Sequence, residues 1–403
     1  MLKAGTGYSE ETDSRRAGRA AAASALKNGG IASPGFALAF CSGRADADAF
    51  YAGLREALGS GVPILGGSAV GVITAEALSY KGSPSGVAVV EGVGARAAFV
   101  GRLDQGGEAA GRALADRLAC GPGDKAALLF YDSVRVPAHP GVPPVLNPSA
   151  PLLAGLQARL PAGLPLVGAG LVGTYEFGAT RQFCGSEVGA QCAAALALSG
   201  AFRPRHRIMH GCIPLDGIYR KITRMEGDVL YELDGRPVVN VIDEFKVAGW
   251  RSHHPVNYLT VGVNCGERFG EPREDRYINR LITGITPDGQ GIGMFEPDLE
   301  TGMEIQFMIR DVERMAESSE ENARALLGEA GGAPAFGLYI DCAGRTAEFS
   351  HTAEEEAAGV QKVFRERGVP LLGFYSGVEI APLMGKSRGL DWTGVLLVLT
   401  EEG

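Results

Sequence analysis

Apolar runs without alternation recur along the chain and divide it into three similar stretches. The runs at 36–42, 126–133 and 336–342 predict strands covered on both faces. Each is followed by a helical segment, at 45–58, 150–160 and 353–367, and then by a short block of fixed pattern. The blocks are Gly61-Val-Pro-Ile-Leu-Gly66, Gly163-Leu-Pro-Leu-Val-Gly168 and Gly368-Val-Pro-Leu-Leu-Gly373. Each reads Gly-apolar-Pro-apolar-apolar-Gly, and a Pro at the first strand position needs no ladder donor. Further strand candidates follow at 86–92, 189–200 and 394–400, and longer helical segments precede each unit at 9–27, 108–118 and 312–327. The predicted unit is α-β-α-β-β, repeated three times. Ser9 suits the start of the first helix and Gly29-Gly30 its end.

The spacing between the second and third blocks is about twice that between the first and second, so an extra segment is predicted over roughly 210–310. It reads as an antiparallel sheet with one helix. A strand from 229 enters an Asp234-Gly235 turn, an amphipathic helix covers 237–248, and strands are expected at 258–265, 277–285 and 302–310. The Pro-rich stretch 134–149 is expected as a long loop, over a site mouth or on the surface. The fold class is therefore α/β with mixed α+β sheets: repeated α-β-α-β-β units in two halves, 1–207 and 208–403, the second carrying the antiparallel insertion.

Composition narrows the function. The 403 residues include 59 Gly, roughly twice ordinary usage and without a collagen-like period, which points to many tight turns. A formal net charge of −9 and the lack of any Lys/Arg run argue against a nucleic-acid partner. No apolar run approaches the length of a membrane span, and the polar first residues lack the plan of a signal peptide. The seven Cys, without a C-x-x-C pair, read as thiols in a reducing compartment. A cytoplasmic protein is expected, with no membrane insertion.

Gly168-x-Gly170-x-x-Gly173 has the spacing of a dinucleotide-binding turn. The segment after it holds β-branched and aromatic residues where a helix should open, and the sister blocks lack the spacing. These glycines are better explained as a bend common to the three units, and no cofactor is expected. His206, His210 and Cys212 could share one face of a strand, but Gly211 and Pro214 break the run, so no metal is expected either. His253-His254 reads as a loop pair.

The stretch Gly368-Val-Pro-Leu-Leu-Gly-Phe-Tyr-Ser-Gly-Val-Glu-Ile-Ala-Pro382 resembles the C-terminal signature of the FIST family. His210-Gly-Cys-Ile-Pro214 is similar to that family's boundary between its FIST N and FIST C domains. Leu233-Asp-Gly-Arg-Pro237 and Gly66-Gly-Ser-Ala-Val-Gly71 are similar to two of its turns. The resemblance spans nearly the whole chain. It implies a bacterial sensory module of signal transduction that binds small ligands such as amino acids, with no established catalytic activity. Val72 stands where the family tends to carry a glutamate in the first block, and Gly377-Val378-Glu379 replaces Tyr-Gly-Glu in the third.

Ligands in α/β sheets sit at the C-terminal ends of strands. Those ends, and the turns after the blocks, supply the expected ligand-binding set: Arg44, Ser68, Asp132, Tyr175, Asp341, Tyr375, Ser376 and Glu379. Arg44 paired with Glu379 or Asp341 would give an amino acid one cationic and one anionic anchor. No catalytic residue is assigned. The expected partners are a small-molecule ligand and a signalling protein. An enzyme with Cys342 or Cys41 as nucleophile, or an interaction scaffold without a pocket, are the alternatives.

Overall fold

The computed structural model describes every residue except 247, 248, 254, 330 and 403. The end of the helix expected over 237–248, and one member of the His253-His254 pair, lie outside the described residues. The rest forms three six-stranded mixed sheets, each backed by two main helices, and one antiparallel barrel.

The three blocks occupy equivalent places. In each unit the block strand runs parallel to the strand before its helix: Ile64–Ala69 beside Pro34–Ser42, Leu166–Leu171 beside Asp124–Asp132, and Leu371–Ser376 beside Pro334–Cys342. The carbonyls of Pro63, Pro165 and Pro370 accept from the amides of Ala37, Ala127 and Gly337, at 2.9, 2.8 and 2.9 Å. The glycine closing each block lies against the neighbouring strand. A Cβ on Gly66 would stand 1.8 Å from the Ala39 oxygen, and one on Gly168 would stand 1.9 Å from the Leu129 oxygen. Gly168 and Gly170 therefore serve strand contact, and the chain beyond Leu171 continues as an irregular turn.

The sequence does not announce how the units are joined. The hairpin that follows each block leaves its own sheet and completes another's. Val72–Thr74 pairs antiparallel with Leu371–Ser376, Gln182–Cys184 with Ile64–Ala69, and Val378–Leu383 with Leu166–Leu171. The exchange is cyclic, so the three units form a pseudo-threefold ring in one chain. Phe40, Phe130 and Phe374 meet inside it, with ring centroids 3.8–5.4 Å apart. These rings belong to one continuous core drawn from all three sheets, and its burial is the main force holding the ring closed.

Each unit also has an edge strand: Lys3–Ser9, Gly94–Gly101 and Phe202–Met209. The first replaces the expected early start of the helix. That helix spans Ser14–Gly29 and is capped by Asp13, whose side chain accepts from the Arg16 amide at 2.8 Å. Gly5 and Gly7 let the edge strand press on it, since a Cβ at either would meet the carbonyl oxygens of Ala25 and Ala21 within about 2 Å. Gly30 closes the helix in the left-handed region, as expected. The stretch 134–149 is not wholly irregular, because Val134–Val136 and Val145–Leu146 pair as a short hairpin.

The insertion is a barrel. Leu259–Asn264, Tyr277–Ile285, Ile292–Met294, Val229–Leu233, Arg220–Glu226 and Glu304–Arg310 pair in that order, and the last returns to the first. Asp234 and Gly235 make the expected turn, both with positive φ (50° and 74°). Helix Val238–Glu244 packs into the same core as Ile222, Val261 and Phe307. The division expected at 207/208 falls inside the edge strand Phe202–Met209.

Candidate functional site

Helix starts, strand ends and the barrel converge on one buried polar cluster. It lies at the C-terminal end of Pro334–Cys342, the central strand of the third unit. Asp341 is fully buried there, and its register partner on the block strand is Tyr375. Four residues on, Arg345 is also buried. It binds Glu356 through Nη2, donates from Nη1 to the carbonyls of His210 (3.0 Å) and Trp392 (2.7 Å), and holds Nε 3.2 Å from Asp341 Oδ1. Arg310, at the end of the barrel's last strand, lies 3.9 Å above the Trp392 ring and donates to the Gly344 carbonyl at 3.1 Å. The two points at which the chain enters and leaves the barrel thus both rest on 344–345.

Ser376 and Glu379 flank the cluster. Ser376 Oγ donates to Glu379 Oε1 at 2.8 Å, and it also lies 3.0 Å from the backbone oxygen of Asp341. Glu379 Oε2 accepts from the Thr393 amide at 3.2 Å. Burial pushes the carboxyls of Asp341, Glu356 and Glu379 up from their ordinary range, against the pull of Arg345 on the first two and of the Ser376 hydroxyl on Glu379.

The segment 343–356 covers this cluster, and a tyrosine from each unit holds it. Tyr175 Oη lies 2.5 Å from Thr346 Oγ1 and donates to the Ala343 carbonyl at 3.1 Å; its ring stacks on Phe349. Tyr80 donates to Glu355 at 2.6 Å, and Tyr375 donates to the other Glu355 oxygen at 3.3 Å. The corresponding connection in the first unit, 43–46, is much shorter. Two open cavities, of about 230 and 420 Å³, lie elsewhere: one by Arg135, Asn147 and Gly107, the other by Cys265, Arg276 and Met384.

Five of the eight expected residues, Tyr175, Asp341, Tyr375, Ser376 and Glu379, come together here. The other three do not join them. Arg44 is more than half exposed and pairs with Glu176 at 3.4 Å, so it faces neither Asp341 nor Glu379. The connection that carries it is too short to fold inward. Ser68 is buried at the strand junction, where its hydroxyl accepts from the Arg181 amide at 3.1 Å. Asp132 is buried in a network of its own, accepting from Thr180, Gln191 and the Val134 amide. Arg345, Glu356, Arg310 and Trp392 were not anticipated. One signal was available, because Cys342-Ala-Gly-Arg345 repeats the pattern of Cys41-Ser-Gly-Arg44.

The thiols do not suit nucleophilic chemistry. Burial pushes Cys41 up to about 12 and Cys342 well above its ordinary value, and among the described residues no histidine hydrogen-bonds either one. The His/Cys run makes other contacts: His206 Nε2 lies 2.8 Å from the Pro382 carbonyl, and His210 Nδ1 accepts from the Cys212 amide. Among the described residues no group of three or more His, Cys, Asp or Glu side chains is placed to hold a metal, and no helix is long and apolar enough to cross a membrane.

A second buried acid ties the barrel to the repeats. Asp391 Oδ2 accepts from the Leu281 amide at 2.8 Å, and Arg280 donates to the Gly389 carbonyl at 3.0 Å. Burial raises Asp391 to about 7 despite the Arg280 charge. Native Asp391 therefore keeps its proton at pH values where the unfolded chain has lost it. Between about pH 4 and pH 7 stability falls as pH rises, and above that window the loss is complete. Asp391→Asn should remove on the order of 3 kcal/mol of the stability difference between pH 5 and pH 8. Urea midpoints of both proteins at the two pH values measure it.

Three α/β units locked by exchanged hairpins surround a buried polar cluster, and a barrel rests on that cluster. Residues 35–236 match the FIST N domain and residues 248–382 the FIST C domain, so the chain belongs to the FIST family, whose domains are signal-transduction sensory domains. Similar proteins include an uncharacterized protein of Mycobacterium tuberculosis, 26% identical over 260 residues. That match covers 64% of this chain and 66% of the relative. An uncharacterized protein of Mycobacterium bovis is 26% identical over 266 residues, with the same coverage of each chain. Among solved structures, a chain of PurLQS from Thermotoga maritima aligns over 99% of this chain and 72% of its own at 9% identity. Its TM-score is 0.23, a superposition too loose to define a common fold.

Proposed function

We propose that this FIST module is a cytoplasmic sensor that binds a small polar ligand at the Asp341 cluster and passes occupancy to a signalling protein by association. The family resemblance favours small ligands such as amino acids, a class that extends to their decarboxylated and amidated forms. The observation that carries the reading is the concentration of unpaired polar atoms. Among the described residues Asp341 Oδ2, Glu356 Oε2, Arg310 Nε, Trp392 Nε1 and His210 Nε2 are buried without a hydrogen-bond partner, while Asp341 Oδ1 and Arg345 Nε have only each other, 3.2 Å apart. Each such atom costs about 1–3 kcal/mol unless something satisfies it. A ligand that enters beneath 343–356 would do so, and Tyr80, Tyr175 and Tyr375 would release and re-engage that segment.

Occupancy must stabilise the fold. A ligand at a hundred times its Kd should raise unfolding free energy by about 2.7 kcal/mol. Differential scanning calorimetry against a panel of amino acids, their decarboxylated amines and their α-amides should find at least one that raises Tm. If none of the panel does so at millimolar concentration, the reading fails.

A further inference from the structure

We infer that the ligand of the Asp341 cluster presents an amine and no free carboxylate, and carries beside the amine a neutral polar group such as a hydroxyl or an amide. This rests on the reading that the cluster is a ligand site.

A carboxylate needs a guanidinium able to offer it two parallel N–H groups. Both guanidiniums of the cluster are already engaged. Arg345 spends its Nη atoms on Glu356, the His210 carbonyl and the Trp392 carbonyl. Arg310 directs its Nη atoms to the carbonyls of Asn257 and Gly344 and to Ser350 Oγ, and its flat face lies on Trp392. Of the three guanidinium nitrogens of each, only Nε is without a hydrogen bond, and that of Arg345 faces Asp341.

Acceptors are in surplus. Asp341, Glu355, Glu356 and Glu379 supply four carboxyls against those two cations. Asp341 Oδ2 and Glu356 Oε2 accept no hydrogen bond among the described residues, and Asp341 Oδ1 faces only Arg345 Nε. Aromatic groups stand beside them: Tyr375 is in register with Asp341, and Tyr339 Oη lies 3.4 Å from Glu356 Oε1. An ammonium among carboxylates and ring faces is well held when desolvated. A ligand carboxylate would meet like charge instead. The unpaired Trp392 indole N–H is a neutral donor, suited to a carbonyl or hydroxyl oxygen.

Protons now balance part of the surplus, since burial raises these carboxyls. An arriving ammonium takes their place, so binding should release protons and tighten as pH rises.

The test sets each of several α-amino acids beside its decarboxylated amine and its α-amide, in thermal-shift titrations at matched ionic strength. The amine or amide should raise Tm while the parent acid does not, with weaker affinity at pH 5.5 than at 7.5. Asp341→Asn should abolish the shift; if that variant fails to fold by far-UV circular dichroism, Glu356→Gln takes its place. Acids that stabilise as well as their amines would overturn the inference and leave the ligand site standing. So would a folded variant that keeps the full amine shift. If neither acids nor amines act, the site itself is refuted along with the inference.

Discussion

Replacing Arg345 with glutamine is expected to cost about 3–5 kcal/mol, among the largest effects of any side-chain change in this protein. The guanidinium is fully buried and sits between two buried carboxyls, Asp341 and Glu356. Removing its charge leaves both acids with no compensating partner at the same place. It also withdraws donors from the carbonyls of His210 and Trp392, which then become unsatisfied in the interior. Because His210 is where the chain enters the barrel, the loss should loosen the barrel as well as the third unit. Urea unfolding at pH 7 measures the cost. The contrast is Arg44→Gln, which removes a solvent-exposed pair with Glu176 and should shift stability by no more than about 0.5 kcal/mol. Equal effects at the two positions would mean that the Arg345 cluster does not hold the third unit together. Low pH should soften the Arg345→Gln penalty, since Asp341 and Glu356 can then stay protonated.

That contrast also marks where the sequence could be read and where it could not. The repeat was legible because its signal is local: a Pro at the start of a strand, a Gly at its close, and apolar residues between. Glu379, expected from its place in the turn after the third block, is buried. Arg345 was passed over in favour of Arg44, although both end a Cys-x-Gly-Arg run. Their fates differ through the length of the connection that follows. The short one in the first unit leaves Arg44 outside, while the longer one in the third folds Arg345 back onto Glu356. No local pattern encodes that. The hairpin exchange was hidden for the same reason, because Val72–Thr74 is too short to declare which sheet it will join. Lys3–Ser9 was missed because its glycines, which allow the close approach to the helix, erase the apolar alternation by which a strand is recognised.

The glycine that closes each block gives the second large prediction. Gly168→Ala should cost about 3 kcal/mol or more, at the upper end for overpacking, because the obstacle is backbone. The added Cβ would stand 1.9 Å from the Leu129 oxygen, and 2.8 Å from its carbon. A side chain could rotate away from such a clash, but a carbonyl held in a parallel ladder cannot. Relief requires Leu166–Leu171 to separate from Asp124–Asp132, strands that lie less than about 5 Å apart. That movement would also strain the ladder to Val378–Leu383, the hairpin lent by the third unit. The pseudo-threefold arrangement then predicts an order. Gly66→Ala, with its Cβ 1.8 Å from the Ala39 oxygen, should match Gly168→Ala. Gly373→Ala meets the Tyr339 oxygen at 2.7 Å and should cost less. Gly121→Ala, with no neighbour within 4 Å, should leave stability within about 0.5 kcal/mol of the parent. Chemical denaturation of the four variants tests the series. A Gly168→Ala protein as stable as its parent would show that the three blocks do not owe their shared glycine to strand contact, and the equivalence of the units would lose its physical basis.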